Sequence, residues 1–234
     1  MSQHNIRDGI IVDVRLFGST ARGDSDDRSD LDILVVTDAG KPDTSKLHEF
    51  ISQRYNVEAD LSIYSLNRLK SMFADGHLFA WHLHQESHHL EYEGTVDSMT
   101  ILGTPRPYNS AYRDVAELLG LLETIKNESM NSSSLTFEAG LIYVCARNIA
   151  LSASWHTSDG IKFGRNSPFE IATGKLAFPL ARADFEVLAA CRHASTRGKS
   201  VTPPDRGWLV AQAALCHQWA SEVSEWILEK EHVN

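Results

Sequence analysis

With 234 residues, 42% of them hydrophobic and 23% charged, the chain can bury a real core as one large domain or two small ones, which excludes a disordered or fibrous protein. A net charge of -9 argues against a nucleic-acid partner gripped by its backbone, because that task needs a basic surface. No run of about eighteen apolar residues predicts a membrane span, and "MSQHNIRDGI" lacks the apolar stretch of a secretory signal. Cys145, Cys191 and Cys216 are odd in number and far apart, so the expectation is a cytoplasmic protein with buried thiols and no disulfide framework.

In chain order, "IIVDVRLF" (10–17) predicts a strand, and "LDILVV" (31–36) a second one that is apolar on both faces and hence buried. "DTSKLHEFISQRY" (43–55) places Leu47, Phe50 and Ile51 at helical spacing behind an Asp/Thr/Ser cap. "EADLSIYS" (58–65) predicts a third strand, and 66–87 a helix broken near Gly76. "HHLEYEG" (88–94) returns to alternation and predicts an edge strand. After the Gly/Pro-bearing "ILGTPRPYNS" (101–110) the pattern turns helical: 111–128, 135–155, 180–196 and 207–231 each repeat apolar residues at i, i+3, i+4 and i+7. The expected fold class is therefore an α/β (α+β) domain with a mixed sheet over 1–100. An all-α helical bundle follows over 107–234, with a cleft between the two.

"LFGSTARGDSDDRSDLDILVV" (16–36) carries the chemistry. Residues two apart in a strand point the same way, so Asp30 and Asp32 share one face. Two carboxylates that close repel, and one takes up a proton unless a cation sits between them. Magnesium is the hard cation that accepts carboxylates, water and phosphate oxygens. Two such ions about 3.5–4 Å apart clamp the attacking and leaving oxygens of a phosphoryl-type transfer. Asp60 opens "DLSIYS" as Asp30 opens "DLDILVV", and would be the third ligand. Gly18 lets backbone approach a ligand closely, Ser19 adds a hydroxyl where a short helix would start, and both suit a phosphate. Ser29 would brace the turn into the aspartates, and Arg22 would reach a polyphosphate tail.

Strand, Gly18-Ser19, ten intervening residues, Asp30-Leu31-Asp32, then Asp60 opening a later strand resembles the DNA polymerase beta nucleotidyltransferase superfamily. The likeness is strongest to its minimal and aminoglycoside-modifying members. The resemblance is tight over 12–36 and looser to about 93. It implies that Gly18 and Ser19 hold the triphosphate, that Asp30 and Asp32 ligate both magnesium ions, and that Asp60 holds the catalytic ion and orients or deprotonates the acceptor hydroxyl. The substrate would be ATP or another nucleoside triphosphate. The acceptor would be a small hydroxylated molecule, such as an aminoglycoside, or a protein hydroxyl, with pyrophosphate released. The competing expectation is an antitoxin-like regulatory module that acts through a protein partner.

Weaker signals have plainer explanations. His77, His82, His84, His88 and His89 are irregularly spaced around Leu78, Trp81 and Leu90 and predict packing instead of a metal cluster. The family resemblance, in which a His-Leu pair often sits in the helix after the third carboxylate, implies that His82 is a structural marker of the fold. Arg192, His193, Arg197 and Lys199 gather at a helix end, where cations favour the dipole. Glu117, Glu123 and Glu138 include candidates for a general base. Arg147 and His156 have eight residues between them, more than the four to six of the ribonuclease motif found in helical partners of minimal nucleotidyltransferases, so no such activity is expected.

Overall fold

A computed structural model describes residues 9–25, 30–57, 59–171, 176–198 and 200–233. The chain divides into two compact units, 1–109 and 110–234.

The first unit is built on a four-stranded mixed sheet. Strand β1 (Ile11–Phe17) leads through the short helix α1 (Gly18–Arg22) into β2 (Leu31–Thr37). Helix α2 (Ser45–Tyr55) follows, then β3 (Ala59–Ser65), helices α3 (Leu66–Ala74) and α4 (Leu78–Glu86), and the two-residue strand β4 (His88–His89). The strand order is β3-β2-β1-β4, with β2 parallel to β3 and the other pairs antiparallel.

The continuous apolar run of β2 has the cause the sequence suggests: it is covered on both sides. Val14, Leu16, Leu31, Ile33 and Val35 pack with Leu47 and Ile51 of α2. Phe17, Leu34 and Val36 pack with Leu69, Met72 and Phe73 of α3 and with Ala80 and Leu83 of α4. Each such fully buried aliphatic side chain contributes about 1.5–3 kcal/mol relative to exposure.

The predicted helix over 66–87 is two helices. Ser65 caps α3 by accepting a hydrogen bond from the Arg68 amide, and the His77 ring accepts one from the Phe79 amide to start α4. Gly76 between them has φ +65°, and a Cβ there would stand 2.3 Å from the Pro107 carbonyl oxygen. A glycine is required where the two segments cross.

The edge strand expected over 88–94 is much shorter. Leu90 still donates to the Val14 carbonyl, but Glu93 and Gly94 turn the chain and Thr95 closes that turn onto the Tyr92 carbonyl. Val96 then rejoins β1 through Val12. Turn chemistry at Gly94 (φ +75°) overrides the alternation. The short helix α5 (Met99–Leu102) ends this region.

The second unit is helical. It contains α6 (Ala111–Glu128), a single 3₁₀ turn at Ser129–Asn131, α7 (Leu135–Ser154), α8 (Ser167–Glu170), α9 (Arg182–Arg197) and α10 (Arg206–Val233). The four long helices match the four predicted segments to within two residues at each end. Their core includes Leu122, Ile142, Ile149, Phe185, Leu188, Trp219 and Ile227. Among the described residues no helix is long and apolar enough to cross a membrane.

Candidate active site

The end of β1 and the start of β2 and β3 meet at one end of the sheet. Asp32 lies opposite Phe17 across the antiparallel pair and opposite Asp60 across the parallel pair. Register partners on neighbouring strands point to the same face, about 4.8 Å apart. Phe17, Asp32 and Asp60 therefore form one row, on the side of the sheet that also carries α3 and α4. Asp32 is half-buried, Asp60 is exposed, and Asp30 sits half-buried just ahead of β2.

Gly18 is buried and adopts φ +73°. A Cβ at this position would stand 2.2 Å from Oδ2 of Asp32. The turn out of β1 thus passes directly against the Asp32 carboxylate. Ser19 is half-buried in α1, which closes as the Asp24 and Gly23 amides donate to the Ser19 and Thr20 carbonyls. Ser29 lies outside the described residues.

Three carboxylates with hard oxygen donors, Asp32 and Asp60 in register and Asp30 two residues before Asp32, suit a divalent cation by their chemistry. They are not drawn together into a ready cage: among the described residues no group of three or more His, Cys, Asp or Glu is arranged to hold a metal ion.

Arg22 closes α1, and it is engaged instead of open. Its Nη1 lies 2.7 Å from Glu86 Oε2 and its Nε 3.2 Å from Asp24 Oδ2. His82 Nε2 stands 3.0 Å from the same Glu86 oxygen. Burial pushes the Glu86 carboxyl up, but His82 and Arg22 together outweigh it and hold the group below the usual glutamate range. Burial likewise opposes the charge on Arg22, and its two carboxylate partners reverse that and raise its pKa. Glu86 belongs to no motif. The only hint of it in the sequence is its spacing four residues after His82, the i,i+4 relation of a helix face.

The other histidines have separate partners. His84 packs edge-on to Trp81, His88 Nε2 approaches the Ala21 carbonyl at 3.3 Å, and His89 Nδ1 lies 2.7 Å from Asp13 Oδ1.

In the second unit, Glu117 and Glu123 are exposed and Glu138 is half-buried. The Arg192 backbone packs against Gly140, where a Cβ would come within 2.9 Å; Lys199 and the Arg197 side chain lie outside the described set. Arg147 donates to the Phe163 carbonyl at 2.9 Å, whereas His156, just past the end of α7, packs on Trp226. His156 lies beyond the last residue of the helix that carries Arg147, so the two do not share a helix face.

Residues 4–77 match the family model described as "Nucleotidyltransferase domain". A comparison of the chain with curated proteins gives no match. The matched stretch contains the strands β1, β2 and β3 and the residues Gly18, Ser19, Arg22, Asp30, Asp32 and Asp60. With the mixed sheet and the alignment of Asp32 with both Gly18 and Asp60, residues 4–77 are a nucleotidyltransferase domain of the DNA polymerase beta-like superfamily.

Proposed function

We propose that the protein transfers a nucleoside monophosphate from a nucleoside triphosphate, ATP first among them, to a hydroxyl group and releases pyrophosphate. The observation that carries this reading is the Asp32 carboxylate, which has Gly18 pressed against it on one side and Asp60 in register on the other.

Asp30 and Asp32 would hold two magnesium ions, with Asp60 contributing to one of them. Such ions neutralise the triphosphate and favour the ionised form of the attacking hydroxyl. The turn at Gly18 and the Ser19 hydroxyl would cradle the phosphates, and Arg22 would pair with the far end of the chain. Asp60 would orient the acceptor and take its proton as the acceptor oxygen bonds to the α-phosphorus and the bond to pyrophosphate breaks. Most of the rate enhancement then comes from positioning and charge neutralisation. The net charge of -9 favours a cationic acceptor such as an aminoglycoside over an anionic one.

The test is incubation with labelled ATP, GTP, CTP and UTP plus magnesium, against aminoglycosides and cell lysate, with pyrophosphate as the readout. Asp32→Asn should bring turnover to background, because one carboxylate of a shared site cannot be replaced by a neutral amide. Full activity in that variant overturns the assignment. Stoichiometric recovery of a protein partner, with no pyrophosphate from any acceptor, overturns it in favour of a regulatory module.

A further inference from the structure

The helix α1 has only five residues, too few to hold its own shape, since isolated helices below about 12–15 residues are marginal in water. Its two ends are gripped by one neighbour. Phe79, His82 and Glu86 of α4 follow one another at i, i+3 and i+7 and so share a face. The Phe79 and His82 rings meet Phe17 edge-on, at centroid distances of 5.9 and 5.7 Å, and Phe17 is the residue immediately before Gly18. At the other end Glu86 binds Arg22, the last residue of α1.

The charges around Arg22 are unequal in kind. Glu86 is 15% exposed, binds Arg22 at 2.7 Å and is itself held by His82. Asp24 is 55% exposed and its contact is longer, 3.2 Å. An exposed pair of the second sort contributes at most about 1 kcal/mol and separates readily. A half-buried, doubly held carboxylate does not, because its removal leaves a partner charge uncompensated. The guanidinium is a rigid planar fork, and its Nη2 makes no hydrogen bond among the described residues. With Nη1 fixed by Glu86, an anion that takes the place of Asp24 meets Nε and Nη2 together.

We propose that Glu86 is a positioning residue for Arg22, and that Asp24 is a placeholder which the triphosphate displaces. Helix α4 is then the brace of the phosphate-binding turn. This inference rests on the reading of Arg22 as a phosphate contact.

Two forces give opposite signs at Glu86. Through simple field effects, removing a negative charge near a triphosphate would tighten binding; through positioning, it would loosen it. The experiment uses the full chain and an ATP analogue with a non-hydrolysable α,β bridge plus magnesium, with affinity from calorimetry and melting temperature measured alongside. Glu86→Gln should weaken binding about ten-fold, the scale of one well-oriented charge-assisted contact. It should have no further effect in an Arg22→Ala background. Asp24→Asn should tighten binding several-fold, since the competitor for Nε is gone.

Unchanged or tighter binding by Glu86→Gln overturns the inference and leaves the nucleotidyltransferase reading intact. If the unaltered protein binds no triphosphate, that reading and this inference fall together. Should Glu86→Gln fail to fold, Asp24→Asn decides alone: unchanged or weaker binding overturns the placeholder role, and Glu86→Asp, which keeps the charge, should restore folding.

Discussion

Gly18 meets two demands that no other residue satisfies together. Its φ of +73° lies in the region that side chains rarely adopt, and the space where a Cβ would sit is taken by the Asp32 carboxylate. Gly18→Ala must either move β2 or rotate Asp32 away from its position beside Asp60. The backbone strain alone costs about 1–3 kcal/mol, measurable by urea unfolding, and affinity for magnesium-ATP should fall with it. Retained stability and retained affinity would mean that the turn does not press on Asp32. At this scale the motif residues were legible, because a Gly-Ser after a strand and an Asp-x-Asp opening the next require particular backbone and charge. The grip of Glu86 on Arg22 was not, since the two are 64 residues apart and a glutamate near the end of a helix is ordinary.

The strand β1 shows why an element can be read correctly while its environment is not. In "IVDVRLF" the polar Asp13 and Arg15 share one face of the strand, yet Asp13 is fully buried and Arg15 nearly so. A network from the far side of the unit makes this tolerable. Asp13 Oδ2 accepts from the Ser98 amide at 2.8 Å and the Ser98 hydroxyl at 2.5 Å, and from Arg15 Nη1 at 3.1 Å. Its other oxygen meets His89, while Arg15 reaches Asp97 and both the hydroxyl and carbonyl of Ser87. Partners 72 to 85 residues away leave no local pattern. Periodicity reports which residues face a layer, whereas these contacts depend on how the chain returns after β4. The long helices, by contrast, repeat their apolar spacing over several turns and were legible almost to their ends. Asp13→Ala should cost about 3–5 kcal/mol in urea unfolding, because it removes the fully buried one of the two carboxylates that neutralise Arg15 and orphans the Ser98 donors. Asp13→Asn, which keeps the shape and an acceptor oxygen, should cost less. Equal and small losses in both variants would show that the pair contributes no net stability.

Across the whole molecule, shifted groups in both units limit stability from two directions. On the acid side, burial lowers the pKa of His156, with nearby Glu231 opposing it only in part, and burial together with Lys126 lowers that of His217. Folding disfavours their charged forms, so stability is present above the ordinary histidine value near 6.5 and is lost as pH falls through the folded values. A second loss follows below the ordinary carboxylate range. Burial raises Asp97, but the Met99 amide and Arg15 outweigh it; that carboxyl and Glu86 are both held down in the folded state and must be protonated at greater cost. On the alkaline side, burial pushes the Cys145 thiol up to about 12 and raises Cys216 and Cys191 as well. These groups stay protonated when folded but ionise near 8.5 when unfolded, so their contribution is present below that value and is lost as pH rises. The melting temperature should therefore be highest between about pH 7 and 8.5 and decline on both flanks, with the acid decline in two stages. Calorimetry from pH 4 to 10 measures it. His156→Gln should flatten the first acid stage and Cys216→Ala the alkaline slope, whatever each does to the maximum. A maximum below pH 6, or flanks that neither variant alters, would mean that these buried groups do not set the pH range of the fold.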